Sequence, residues 1–179
     1  MPGPINIQIN VGKNITTIAN QFPKAASASL NRIAQGARTE LSRDVREEYN
    51  IKAADVSKNI VIANATKDNL RVIIRARGSN LPFFIFDPRQ TAQGVSIMIK
   101  TGARKVKAGA FLATMKSGHK GVFIREGKKR LPIDEKYTIG LPQMITSKNI
   151  SDKLVAFVQD KLPAELVRTI KAFIDLGRE

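Results

Sequence analysis

Between Lys24 and Tyr49 apolar side chains fall at Ala26, Leu30, Ile33, Ala37, Leu41 and Val45, in steps of three and four, and Gly36 is the only helix breaker in the stretch. That period puts them on one side of an α-helix and predicts an amphipathic helix over the whole segment. At about 1.5 Å per residue it would be about 39 Å long, more than the ~30 Å width of a small domain, so one end projects towards a neighbour. Ile18 and Phe22 extend the steps of four upstream. Pro23 lacks an N–H and strains the turn before it, which predicts a kink or a separate short helix there. A second helical pattern starts behind Ser151, the expected N-cap, with Leu154, Phe157, Val158 and Leu162. Pro163 should kink or restart it, and Leu166, Val167, Ile170, Phe173 and Ile174 continue the stripe to Gly177, a natural stop.

From residue 60 to residue 133 the pattern shortens to β-branched runs broken by turn residues, as in an antiparallel sheet. The expected strands are Ile60–Thr66, Leu70–Arg77, Val95–Lys100, Phe111–Lys116 and Gly121–Arg125. In the second, Leu70, Val72, Ile74 and Ala76 alternate with Arg71, Ile73, Arg75 and Arg77, giving an apolar face and a wet, largely arginine face. Lys67-Asp68-Asn69 and Ser117-Gly118-His119-Lys120 suit hairpin connections, because Asn, Asp and Gly tolerate turn dihedrals. Leu81-Pro82-Phe83-Phe84-Ile85-Phe86-Asp87-Pro88 is either a buried edge segment, the favoured reading, or a partner-facing loop.

These patterns predict an α+β fold: a long N-terminal helix packed on a mainly antiparallel β-sheet, with a C-terminal helical segment. A chain of 179 residues suits one domain with a real core. Residues 1–149 are expected to form that domain, and 150–179 a helical appendage packing on it or on a neighbour. There is no apolar run of membrane-spanning length and no secretory signal at the start, which points to manufacture and use in a cytoplasm.

The absence of cysteine and the presence of a single histidine remove disulfides, thiolate metal sites and multi-His metal sites. No catalytic, cofactor-binding or metal-ligating residue is assigned, and neither an enzyme nor a cofactor is expected. Gly12-Lys13 and Gly127-Lys128 lack the upstream glycine of a phosphate-cradling loop. His119 stands in a Gly-flanked turn with no acid close by in sequence, so a plain turn residue is the favoured reading. Asp134-Glu135 reads as a solvated loop, since adjacent side chains point apart.

Charge changes the picture more than any of these. The chain carries +15, and residues 89–133 hold 11 basic groups against 1 acidic. Two-thirds of the excess thus falls on 45 residues, as for a localised electrostatic surface. The candidates for a protein- or DNA-contacting basic surface are Arg71, Arg75, Arg77, Arg104, Lys105, Lys107, Lys116, Lys120, Arg125, Lys128, Lys129 and Arg130. On one face they would attract phosphate backbones or an acidic protein ring without base specificity. The run 125–130 is equally readable as a charged hairpin tip. Phe111 and Phe123, the aromatics among these charges, look core-directed, which argues against a base-stacking platform.

The segment Gly109-Ala110-Phe111-Leu112-Ala113-Thr114-Met115-Lys116-Ser117-Gly118-His119-Lys120-Gly121-Val122-Phe123-Ile124-Arg125, followed by Arg130-Leu131-Pro132-Ile133, resembles the prophage minor tail protein Z family of tailed bacteriophages. The likeness extends upstream through Ala37-Arg38-Thr39-Glu40-Leu41 and Tyr49-Asn50-Ile51-Lys52-Ala53-Ala54-Asp55-Val56, and downstream to Pro142-Gln143-Met144, roughly residues 30 to 145. Where the family commonly has a Gly-Pro-Ser turn after the tyrosine, Tyr137 is followed here by Thr138-Ile139-Gly140. The resemblance implies a non-enzymatic virion component acting in tail completion, at the joint between tail tube and head connector. It further implies a ring of copies of this chain, often six in related proteins, with a sheet lining or facing the channel and helices outside. The implied partners are the chain itself, the tail tube protein, the head–tail connector proteins and genomic DNA in the channel. The implied location is the virion tail or neck, reached from the host cytoplasm during assembly, with no membrane contact. A free, basic nucleic-acid-binding protein is the competing reading of the charge.

Overall fold

The computed structural model describes residues 5–8 and 23–176, with side chains from 23 to 172. The expectations for Ile18, Phe22 and Gly177, and for the side chains of Phe173 and Ile174, lie outside the described residues.

The apolar period of the N-terminal half folds as one helix, α1 (Pro23–Glu48), 26 residues long. All six apolar residues of the predicted stripe are buried. The C-terminal pattern forms α4 (Lys148–Leu176), which lies antiparallel on α1. Leu154, Val158, Leu162 and Leu166 of α4 join Leu30, Ile33, Ala37 and Leu41 in one core. Gly36 serves this contact, because a β-carbon there would stand 3.1 Å from the Phe157 ring, closer than most packed neighbours. Ion pairs bracket the seam: Arg32 with Glu165 at 3.0 Å, and Lys153 with Glu47 at 3.2 Å and with buried Asp44 at 3.7 Å.

Three details of α4 differ from expectation. The helix begins at Lys148, not behind Ser151; the carbonyl of Ser147 accepts from the N–H groups of Ile150 and Ser151, while the Ser151 hydroxyl bonds back to the Lys148 carbonyl. Pro163 neither restarts nor ends the helix, since it sits on the exposed side while Val158, Leu162 and Leu166 carry the seam past it. Val167, counted with the apolar stripe, points outward and is 53% exposed.

The first sheet orders its strands β1-β3-β2 (Ile5–Gln8, Ile73–Ala76, Ile60–Ala63), antiparallel throughout. Val72, Ile74 and Ala76 bury against the helices while Arg71 and Arg77 stay exposed, the alternation that the sequence predicts. The strands are shorter than expected because residues 64–72 form the connecting loop. There the Asn31 side chain grips the Ala65 backbone, donating to its carbonyl at 3.0 Å and accepting from its N–H at 2.7 Å. The Lys67-Asp68-Asn69 turn closes with the Thr66 N–H donating to the Asn69 carbonyl at 2.9 Å. A short helix, α2 (Ala53–Ser57), leads into β2, and Arg38 of α1 donates to the Ser57 carbonyl at 2.8 Å.

The remaining strands build a small sandwich. One sheet is β5-β6-β7 (Arg89–Thr91, Gly94–Lys100, Ala103–Ala108) and the other is β8-β9-β10 (Ala110–Thr114, Lys120–Arg125, Ile133–Glu135). Val95 and Ile97 of β6 pack against Ala110, Leu112, Val122 and Ile124 across the sandwich. The Ser117–Lys120 connection is a hairpin turn, as expected. The Leu81–Pro88 segment opens with β4 (Leu81–Pro82), paired to β11 (Tyr137–Thr138), then makes a 3-10 turn and buries Phe86 completely. Of its hydrophobic residues Phe84 is the exposed one, at 37%. A short helix, α3 (Leu141–Ile145), leads back to α4 through the main core. Among the described residues no helix is long and apolar enough to cross a membrane.

Candidate functional site

The basic residues fall into two groups set by topology. Arg71, Arg75 and Arg77 belong to the first sheet and its flank, where Arg75 lies in register between Val61 of β2 and Asn6 of β1. The other nine sit on the sandwich, so the fold does not gather all twelve into one cluster. Even within the nine, Lys116 and Lys120 flank the β8–β9 turn, while Arg125 to Arg130 occupy the opposite end of β9. Five residues at about 3.3 Å each separate the two ends by about 17 Å. The sandwich therefore carries a spread basic surface rather than a pocket.

Strand geometry assigns different work to each cation. Arg104 reaches back across the sheet, pairing with the Asp87 carboxylate and donating to the Asp87 and Ser96 carbonyls at 3.1 and 3.3 Å. Its charge is spent on holding β7 to the turn before β5, where Asp87 adopts a positive φ of 47°. Lys105 and Lys107 stand opposite Ile97 and Val95, on the same side of the sheet as that apolar pair but beyond its edge, in solvent. Arg125 covers the Phe111 ring at 4.7 Å, a cation–π stack that partly occupies its charge. Lys128, Lys129 and Arg130 ride on the β9–β10 connection, closed by the Glu126 N–H donating to the Pro132 carbonyl at 3.3 Å. Beside them Leu131 is 64% exposed.

Phe123 is buried, 5% exposed, as a core-directed residue, and Phe111 is half-buried; strand alternation places the two rings on the face opposite Val122, 6.2 Å apart between centroids. Other sequence readings change here. Asp134-Glu135 is not a solvated loop but part of β10, and the register puts Glu135 directly opposite Phe123. There the Tyr137 hydroxyl donates to Glu135 Oε2 at 2.7 Å, and His119 Nε2 lies 3.0 Å from the same oxygen. His119 thus has an acidic partner, sixteen residues away, that no local pattern reveals. The hydrogen bond to Glu135, then burial and the charges of Glu135 and Asp134, push the Tyr137 phenol above its ordinary value of 10.0. The cluster has a carboxylate, an imidazole and a phenol that stays protonated at neutral pH. It can pin the β8–β9 turn to β10. Among the described residues no group of His, Asp and Glu could hold a metal ion.

The family model of the prophage minor tail protein Z matches residues 10–176, nearly the whole chain. The chain belongs to the prophage minor tail protein Z family. No curated protein and no solved structure matches it. Minor tail protein Z is a structural part of a phage tail, so the spread basic surface is that of a virion tail protein. The match to minor tail protein Z takes in α1, every described strand but β1, and α4, extending past the roughly 30–145 span covered by the sequence resemblance.

Proposed function

We propose that this chain is a tail-completion subunit at the head-proximal end of the tail, where copies of it close a ring joining the tail tube to the head connector. Six copies is the number suggested by related rings. The basic sandwich surface contacts acidic neighbouring rings or DNA in the channel. The observation that carries this reading is the unneutralised charge of a tail protein: among the described residues Lys105, Lys107, Lys116, Lys120, Lys128, Lys129 and Arg130 have no carboxylate partner. By contrast, most acids of α1 and α4 are engaged within the chain, as in the Arg32–Glu165, Lys153–Glu47 and Lys100–Glu48 pairs. A closed ring of such subunits multiplies one sign of charge, and that favours an anionic neighbour over further copies on the same face.

The test is gold labelling of an epitope-tagged copy in purified particles, viewed by negative-stain electron microscopy beside tails that lack heads. Label at the head-proximal tail end in both samples is the expected result. Particles that form normally without the tagged chain overturn the proposal. Free nucleic-acid binding would then be tested by its salt dependence, with a log–log slope of about 0.9 per phosphate contacted.

A further inference from the structure

β7 is an edge strand: it pairs with β6 on one side, and among the described residues its backbone makes no other backbone hydrogen bond. Such an edge presents alternate N–H and C=O groups outward, ready for another strand. Its residues vary by face. Ala103, Lys105 and Lys107 alternate on one side, and Val106, 49% exposed, stands on the other. At the Ala103 end lies a notch of about 210 Å³ lined by Tyr49, Ile97, Ile99, Ala103 and Ile139, with Lys100 and Lys105 at its rim. Lys100 is already paired with Glu48 at 3.2 Å, whereas Lys105 has no carboxylate partner among the described residues. A cavity of about 150 Å³ suffices for a benzene ring, so the notch has room for one large apolar side chain.

We infer that β7 is a docking edge for an extended acidic segment of another protein, which adds a strand to the sheet, seats one apolar side chain in the notch and sets acids opposite Lys105 and Lys107. Opposite Lys107, Lys105 and Ala103 in turn, an antiparallel segment, the pairing used throughout this sheet, reads acidic, acidic, apolar at every second position. Main-chain hydrogen bonds supply affinity, and the notch and the two cations supply register and sign. The occupant is a polypeptide because a nucleic acid offers neither a strand edge nor an apolar side chain. A second copy of this chain fits less well. The described strand that carries acid is β10, where Glu135 is held by His119 and Tyr137 and Asp134 lies 2.5 Å from the Lys136 ammonium.

The inference rests on reading the basic sandwich as a contact surface, and its test is independent of position in the particle. A fluorescent synthetic peptide with Glu-Thr-Glu-Thr-Leu between neutral flanks, in the order an antiparallel strand requires, is titrated against the full chain by anisotropy, and amide hydrogen exchange locates the contact. Binding with slowed exchange confined to residues 103–108 is expected. The Lys105→Glu/Lys107→Glu pair should weaken it by roughly tenfold or more, and Ala103→Leu, which fills the notch, should weaken it without altering charge. No binding, binding without protection of the β7 amides, or unchanged affinity in both variants overturns the inference. So does protection of 103–108 that rises with protein concentration alone, the mark of a second copy. Displacement of the peptide by duplex DNA with the same amides slowed equally overturns it. Peptide bound at β7 in a chain that labels no tail end would leave this docking standing and sink the tail position proposed above.

Discussion

Gly94 opens β6 with a φ of 151°, and a β-carbon on it would stand 2.1 Å from the Lys107 carbonyl oxygen. No rotation of a side chain relieves that contact, because the obstacle is backbone of the neighbouring strand. Gly94→Ala should therefore cost about 2 kcal/mol or more, read as a lower urea midpoint with the slope unchanged. A wild-type midpoint would show that β6 and β7 are not this close in solution. Tyr49 makes a different prediction at the same scale. Burial, assisted by the charge of and hydrogen bonding with Glu48, lifts its phenol above 10.0. The folded chain then keeps this proton at pH values where the unfolded chain has lost it. Stability from this group is fully present below about pH 10 and falls as pH rises through the folded value. Tyr49→Phe should lose stability less steeply than wild type above about pH 10, with lysine titration common to both proteins. Parallel curves would remove Tyr49 from the alkaline response.

At the scale of elements the α1–α4 pair dominates, and Pro163 is its weakest link. The ring removes one N–H from the helix interior and crowds the carbonyl four residues earlier, yet the residue is exposed and contributes nothing to the seam. Pro163→Ala should stabilise the protein by about 1–3 kcal/mol, measured by chemical denaturation. A drop in stability would mean that the proline sets an angle that Leu162 and Leu166 need. Both helices were legible in the sequence because their period repeats over 26 and 29 residues, long enough to outweigh one glycine or one proline. β7 was not. Its Arg104, Lys105 and Lys107 protect an open edge with charge, and that device erases the apolar alternation by which strands are read. β10, three residues long with two acids, is hidden for the same reason. The His119–Glu135–Tyr137 cluster was illegible because strand register, not spacing along the chain, brings it together.

Over the whole molecule, charge is sorted by architecture. The helices pair most of their acids, Arg32 with Glu165 and Lys153 with Glu47 among them, whereas the sandwich built from residues 89–135 leaves most of its cations to solvent. The excess on residues 89–133 was visible in the sequence, but its spread over two ends of a hairpin and one sheet edge was not, since that depends on which strands pair. The arrangement makes the tip of the β9–β10 hairpin separable from the rest. Lys128, Lys129 and Arg130 are exposed, and among the described residues no hydrogen bond or ion pair ties them to the fold. Reversing all three to glutamate should therefore leave the unfolding free energy within about 0.5 kcal/mol of the parent's. If the tip meets an anionic neighbour in the tail, the same variant should give far fewer infective particles in a complementation assay, while the folded chain accumulates unassembled. Replacement by uncharged glutamine should fall between the two, since it removes attraction without adding repulsion. A glutamate variant that assembles as well as the parent would show that these cations serve only to keep the free subunit soluble.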